Sequence, residues 1–220
     1  MPSVQLKNPL EALEPLFAKG ERELYRDREV VYYPGVASDS LFYIETGHVK
    51  ISYLDTSGKR LVLALRGPGD LVGEGALMGE ERRRHLVQTL GDTLLVRLDR
   101  ELVSSWLRRH PDASSYLLRW LHEKIVELEE LLVDLAFRDI QSRLSRKLLQ
   151  LSQEFGVRTE DGVLIGCRLT HKDLAEMIAS ARENTTLALN RLEQEGIVDK
   201  GRYRIVVKNE ESLKRKCQVG

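Results

Sequence analysis

The side chains best suited to reading another molecule through hydrogen bonds stand together at Arg182, Glu183, Asn184 and Thr186. A guanidinium grips guanine with two parallel bonds, and a carboxylate accepts from the amino group of cytosine. Such groups act only from the exposed start of a helix that enters a groove. The surrounding spacing predicts that element. Thr170 and Asp173, three apart, have capping-box spacing and open a helix over Lys172–Ile178, with small Ala175 on its inner face. A tight turn at Ala179 follows. Ser180 with Glu183 repeats the spacing and opens a second helix that runs through Glu195 and stops at Gly196. Two short helices joined by such a turn form a helix-turn-helix unit, whose second helix places its first residues on base edges. Thr170, His171 and Ser180 lie on the flanks of the same unit. Beyond it, Ile197–Asp199, the turn Lys200-Gly201-Arg202 and Tyr203–Lys208 predict a hairpin. Its basic residues Lys200, Arg202 and Arg204 suit phosphate contacts. Glu183 has two readings at this stage, base contact or partner of Ser180. Arg182 has two as well, base contact or solvated first-turn arginine.

Other chemistries fail on residue counts and spacing. No nucleophile–base constellation, metal motif or Walker-type phosphate loop occurs, so no enzyme is expected. An iron–sulfur cluster needs four thiolates, and the chain has two, Cys167 and Cys217. His48, His85, His110, His122 and His171 show no ligand spacing. No apolar run reaches the roughly 18–20 residues that span a bilayer. Met1–Asn8 lacks the apolar stretch of a secretory signal. With two isolated cysteines, the expected compartment is a reducing cytoplasm, with no membrane partner.

These residues need a scaffold. Basic and acidic residues balance at 34 each, which excludes a uniformly basic coat protein. Residues 139–220 carry 15 Lys and Arg against 12 Asp and Glu, while the residues before them carry 19 against 22. The direction suits a C-terminal half that touches an anion. Between Glu29 and Val96, β-rich runs alternate with glycine turns: Val30–Tyr33, Ser40–Glu45, Val49–Leu54, Arg60–Leu65, Leu86–Leu90 and Thr93–Leu98. Turns at this density predict a small antiparallel roll. Leu10–Lys19 reads as a short amphipathic helix before it. From His110-Pro111-Asp112 to Phe137 there is no glycine or further proline, and one long helix is expected. Leu118, Leu121, Ile125, Leu128, Leu132 and Leu135 recur at alternating spacings of three and four. That seam fits a second copy of the chain. The alternative packs the helix on its own roll through Leu117, Leu131 and Val133. Asp139 reads as the N-cap of a further helix, Ile140–Phe155, stopped by Gly156. The boundary falls near residue 138. The fold class is therefore α+β. A β-roll spans 1–111, a dimerisation helix 112–138, and a winged helix-turn-helix 139–220.

Three stretches resemble the Crp/Fnr superfamily of bacterial transcription regulators. They are Tyr33-Pro-Gly through Leu41-Phe-Tyr-Ile-Glu-Thr-Gly-His-Val-Lys50, Gly69-Asp-Leu-Val-Gly-Glu-Gly-Ala-Leu77, and Leu169-Thr-His-Lys-Asp-Leu-Ala-Glu-Met-Ile178 with Ala181-Arg-Glu-Asn184. The resemblance implies a homodimer that reads palindromic double-stranded DNA and works with RNA polymerase. It also implies an effector site. In cyclic-AMP-responsive members the counterpart of Gly73-Glu74-Gly75-Ala76 cradles the cyclic phosphate, and an arginine follows that strand phase assigns to Arg83 or, one residue away, Arg82. Three departures stand against cyclic AMP. Arg84 replaces a serine, and Leu128 and Glu129 replace a Thr-Ser pair on the long helix. The long helix and the segment after it are similar to the nitrogen-regulator members, which sense 2-oxoglutarate. Lys124 and Glu129 fall at that group's pocket positions. Yet Glu74 opposes a dicarboxylate, and lysine for arginine loses a two-pronged grip. A cyclic nucleotide, 2-oxoglutarate or another small acid, a different effector and no effector all remain open from sequence. On the recognition helix, Leu187 stands where the cyclic-AMP-responsive members carry a second arginine. The alternative function is a small-molecule-binding dimer without specific DNA recognition.

Overall fold

The computed structural model describes residues 13–217. It divides into two units, residues 1–51 with 65–129, and residues 52–64 with 130–220. The expected helix at Leu10–Lys19 falls partly outside the described residues; the described part contains α1, Glu14–Phe17.

The strands are β1 Glu21–Tyr25, β2 Val30–Tyr32, β3 Ser40–Thr46, β4 Val49–Leu54, β5 Arg60–Arg66, β6 Leu71–Val72, β7 Leu86–Thr89 and β8 Thr93–Asp99. They form two four-stranded sheets, ordered β1-β8-β3-β6 and β2-β7-β4-β5. The expected strands are all present within one or two residues of their predicted ends. Strand β1 lies outside the expected series. Its sequence, Glu-Arg-Glu-Leu-Tyr, carries charge because it is an edge strand with mostly exposed side chains. It pairs antiparallel with β8, Glu21 opposite Arg97 and Tyr25 opposite Thr93. A 3₁₀ helix, Glu74–Met78, bridges β6 and β7, entered and left through Gly73 and Gly79 at positive φ. The sheets enclose a core that includes Phe42, Ile44, Val72 and Leu95.

Helix α2, Arg100–Arg109, follows β8, and α3 runs from Pro111 to Phe137. Pro111 opens α3, where a missing N–H costs nothing. One face of α3 buries Ala113, Leu117 and Trp120 against Leu16, Leu41 and Leu71, with Leu121 packed alongside. The opposite face exposes Leu118, Ile125, Leu128 and Leu132. Of the three off-seam residues, Leu117 packs inward, Leu131 is half-buried and Val133 is exposed.

In the second unit, α4 (Ile140–Glu154) starts at Asp139, whose carboxylate accepts from the Ser142 N–H at 2.7 Å. Asp134, in the last turns of α3, pairs with Arg138 at 2.8 Å and with Arg146 of α4 at 2.9 Å. Leu144 and Leu148 of α4 are fully buried. Strands β9 (Gly156–Thr159), β10 (Gly162–Ile165), β11 (Val198–Gly201) and β12 (Arg204–Val207) form a sheet ordered β11-β12-β10-β9. Helices α5 (His171–Met177), α6 (Arg182–Gln194) and α7 (Glu210–Lys216) complete the unit. The hairpin turn lies at Arg202-Tyr203, with Tyr203 at φ 60°, one to two residues beyond its expected place.

Candidate nucleic-acid interface and effector cavity

Helix α5 starts at a complete capping box. The Thr170 hydroxyl accepts from the Asp173 N–H at 3.1 Å, and the Asp173 carboxylate accepts from the Thr170 N–H at 2.9 Å. Asp173 is buried, so the box fixes α5 on its scaffold rather than decorating a free end. The chain then turns at Ala179, which adopts φ 49°. The second expected box does not form. The N-cap of α6 is Ala181, without a side-chain cap, and the Ser180 hydroxyl instead reaches the Ala181 carbonyl at 3.4 Å. The turn consumes one residue more than the spacing suggested, which moves Ser180 out of cap position. Glu183 is thereby released from the capping role.

Arg182, Glu183 and Asn184 are exposed on the first turn of α6, and Leu187 is exposed one turn on. Thr185 between them is fully buried, its hydroxyl bonded to the Ala181 carbonyl at 3.0 Å. Thr186 is half-buried and meets His171 Nδ1 at 3.0 Å. Burial, followed by the charges of Lys200 and Arg182, holds the His171 imidazole below its ordinary range, so it is neutral at pH 7. His171 therefore braces α5 against α6 and adds no charge to the surface.

The wing places its three basic residues differently. Lys200 turns back to α6, where Glu193 holds its ammonium at 2.7 Å and Asn190 bonds it as well. Arg204 pairs with Asp199 at 3.1 Å and with Asp161 at 3.8 Å. Arg202 stays at the exposed turn, its guanidinium 5.5 Å from the Tyr203 ring centre. Arg168 covers the same ring at 4.9 Å. Sequence reasoning missed Arg168 and Tyr203 as a pair. The available signal was a basic residue two positions ahead of a helix cap and an aromatic at a hairpin turn. The second unit thus presents an exposed helix start carrying Arg, Glu and Asn, and a cationic, aromatic wing tip. That arrangement suits base-edge contacts from the helix and phosphate contacts from the wing.

In the first unit, a cavity of about 160 Å³ is lined by residues that include Tyr32, Gly73, Glu74, Gly75, Glu80, Arg83, Arg84 and His85. Arg83 is the inward one of the two arginines. It is buried, donates to the Gly73 carbonyl at 3.0 Å and the Ser40 carbonyl at 2.5 Å, and lies 4.5 Å from the Tyr32 ring centre. Arg82 is exposed and donates to the Gly35 carbonyl at 2.8 Å. Arg84 pairs with Glu80 at 2.9 Å. Gly73 is required, because its φ is +87° and a side chain there would strike the Arg83 guanidinium. Ala76 is buried, its N–H bonded to the Gly73 carbonyl at 3.1 Å. Lys124, Leu128 and Glu129 do not line this cavity. Lys124 instead contacts Glu127 at 2.7 Å and Asp70 at 3.4 Å, and lies over the Trp120 ring. Glu127 also takes Arg66, a buried arginine, at 2.7 Å.

Comparison with known proteins agrees with this geometry in both units. Residues 22–110 match the model of the cyclic nucleotide-binding domain, and residues 142–216 that of the Crp-like helix-turn-helix domain. The chain is 30% identical over 181 residues to the cyclic AMP receptor protein of Thermus thermophilus, covering 82% of this chain and 81% of that one. It is 29% identical over 193 residues to the global nitrogen regulator of a Synechocystis species, covering 87% and 86%. A solved transcriptional regulator of the CRP/FNR family from Thermus thermophilus superposes with a TM-score of 0.73 at 27% identity, covering 90% of this chain and 99% of that one. Among the described residues no helix is long and apolar enough to cross a membrane. Two matched domains in the order roll then helix-turn-helix, with a relative 30% identical over 82% of this chain, make this chain a member of the Crp/Fnr family of DNA-binding transcription regulators.

Proposed function

We propose that the protein acts as a cytoplasmic homodimer that binds a two-fold symmetric DNA site and engages RNA polymerase there. The work divides as a sensing roll over 1–111, a dimerisation helix over 112–138, and a winged DNA-binding domain over 139–220. The reading is carried by Arg182, Glu183 and Asn184, exposed together on the first turn of α6, which is braced on α5 by the His171–Thr186 hydrogen bond. Arg182 takes the guanine of each half-site, and Glu183 the cytosine amino group of a neighbouring pair. Leu187 offers only an apolar contact, suited to a thymine methyl. Arg202 with Arg168 at the wing tip supplies phosphate contacts, which set register and carry no sequence information. Thr170 and Ser180 border the face, and Thr186 and His171 support it. Lys200 and Arg204 act through their ion pairs with Glu193 and Asp199, which hold the wing against α6 and fix its turn. The exposed leucines of α3 supply the two-fold seam. The roll cavity is the regulatory site for a small molecule, the role its domain family suggests.

Selection from a pool of random duplexes tests the reading. The expected product is a palindrome whose guanine preference disappears in Arg182→Ala. Selected sites without two-fold symmetry, or insensitive to Arg182, would overturn it.

A further inference from the structure

The domain family implies a cyclic nucleotide in the roll, and the residues present do not fit its phosphate. A cyclic phosphate needs uncommitted donors and room at the Gly73–Ala76 turn. Here both terminal nitrogens of Arg83 are committed to backbone carbonyls of Ser40 and Gly73. Nη2 also meets the Ser40 hydroxyl at 3.2 Å, and of the N–H groups that remain the buried Nε has no hydrogen-bond partner among the described residues. The room is taken by Glu80. Its carboxylate lies so close over Gly75 that a β-carbon there would sit 2.3 Å from Oε2. Two further contacts hold it: its own N–H donates to the Gly75 carbonyl at 3.0 Å, and Arg84 pairs with Oε1 at 2.9 Å. The Glu80 side chain is only 21% exposed, and Glu74 adds a second carboxylate to the same wall.

We infer that Glu80 is the specificity-determining residue of the roll: it fills the phosphate seat with the protein's own anion and excludes cyclic nucleotides. Two effects act together. The carboxylate occupies the volume above Gly75, and its charge repels an entering phosphate across a partly desolvated cavity, where like charges interact far more strongly than in water. It also keeps Arg84 engaged, so no second guanidinium turns toward a ligand. Any effector admitted by this cavity is neutral or cationic in the part that meets Gly75. The inference rests on reading the cavity as the regulatory site, and it is independent of what the second unit does with DNA.

Calorimetric titration of the full chain with cyclic AMP and cyclic GMP tests it. The unaltered protein is expected to show no binding at millimolar nucleotide. Glu80→Ala, which clears the seat, and Glu80→Gln, which keeps its shape without the charge, are each expected to gain affinity. The gain in Glu80→Ala should be at least about tenfold over the detection limit. Circular dichroism establishes that each variant is folded, and either folded variant suffices for the test. Micromolar binding by the unaltered protein would sink the inference, and so would folded variants that gain nothing. Neither result bears on the operator selection, which reads the other unit.

Discussion

Arg182 and Arg202 are both exposed arginines of the second unit, yet their surroundings assign them different work. Arg182 sits on a rigid helix start, so its fork meets one base pair in a fixed orientation. Its replacement by alanine should cost about 1–3 kcal/mol at that base pair and leave others little changed. Arg202 sits at a hairpin turn beside Tyr203, where it follows the backbone. Arg202→Ala should weaken all duplexes alike and lower the slope of log affinity against log salt by about one. Competition titrations over a salt series separate the two. The correction at Ser180 makes a sharper residue-scale test. Because α6 is capped at Ala181 without a side-chain bond, Ser180→Ala should change stability by less than about 0.5 kcal/mol. Thr170→Ala removes a real cap and the hydroxyl bond to the buried Asp173 carboxylate, and about 1–2 kcal/mol is expected. Thermal unfolding of both variants would reverse the capping assignment if Ser180→Ala proved the costlier.

Helix α3 was the most legible element, because 27 residues without an internal breaker, opened by Pro111, leave little else for the backbone to do. Its two faces were only half legible. The seam rule placed Leu121 and Leu128 together, but Leu121 packs beside Trp120 on the roll core, while Leu128 is exposed. A charge at Leu121 would therefore damage the roll as well as any dimer. Ile125→Glu with Leu132→Glu touches only exposed positions, and sedimentation of that variant should show a folded monomer with operator binding lost. A dimer that persists would move the seam elsewhere. Strand β1 escaped sequence reading because edge strands carry charge where interior strands carry apolar alternation. Helix α2 was not read from the sequence, although Leu102, Val103, Trp106 and Leu107 recur at helical spacing and pack on the roll core. In the sites, the helix start at Arg182 was visible because it is local in sequence. The choice between Arg82 and Arg83 was not, since Glu80–Arg82 is irregular and carries no period. Glu80 itself was invisible: its position over Gly75 depends on the turn that folds the chain back, not on any spacing.

Across the whole molecule charge balances at 34 against 34, so self-repulsion is small near pH 7 and the first loss of stability on acidification falls to particular pairs. The pair best placed to set it joins the end of β5 to the middle of α3. Arg66 is buried, also donates to its neighbour's carbonyl at 2.9 Å, and meets Glu127 at 2.7 Å. Burial pushes the Glu127 carboxyl up, but Arg66 and Lys124 together outweigh it and hold it below the ordinary glutamate value of 4.5. A carboxyl held low in the folded state binds its proton more readily when the chain unfolds. Its stabilisation is thus complete above about pH 4.5 and is lost as pH falls through the depressed folded value. Glu127→Gln keeps the shape and removes the charge, leaving Arg66 buried without its counterion. A cost of about 2 kcal/mol is expected, below that of a fully buried pair because Glu127 retains some solvent contact. Denaturant unfolding of the two proteins should show a constant gap from pH 7 to pH 5 that closes at lower pH. A gap that widens in acid would mean that another group carries the titration.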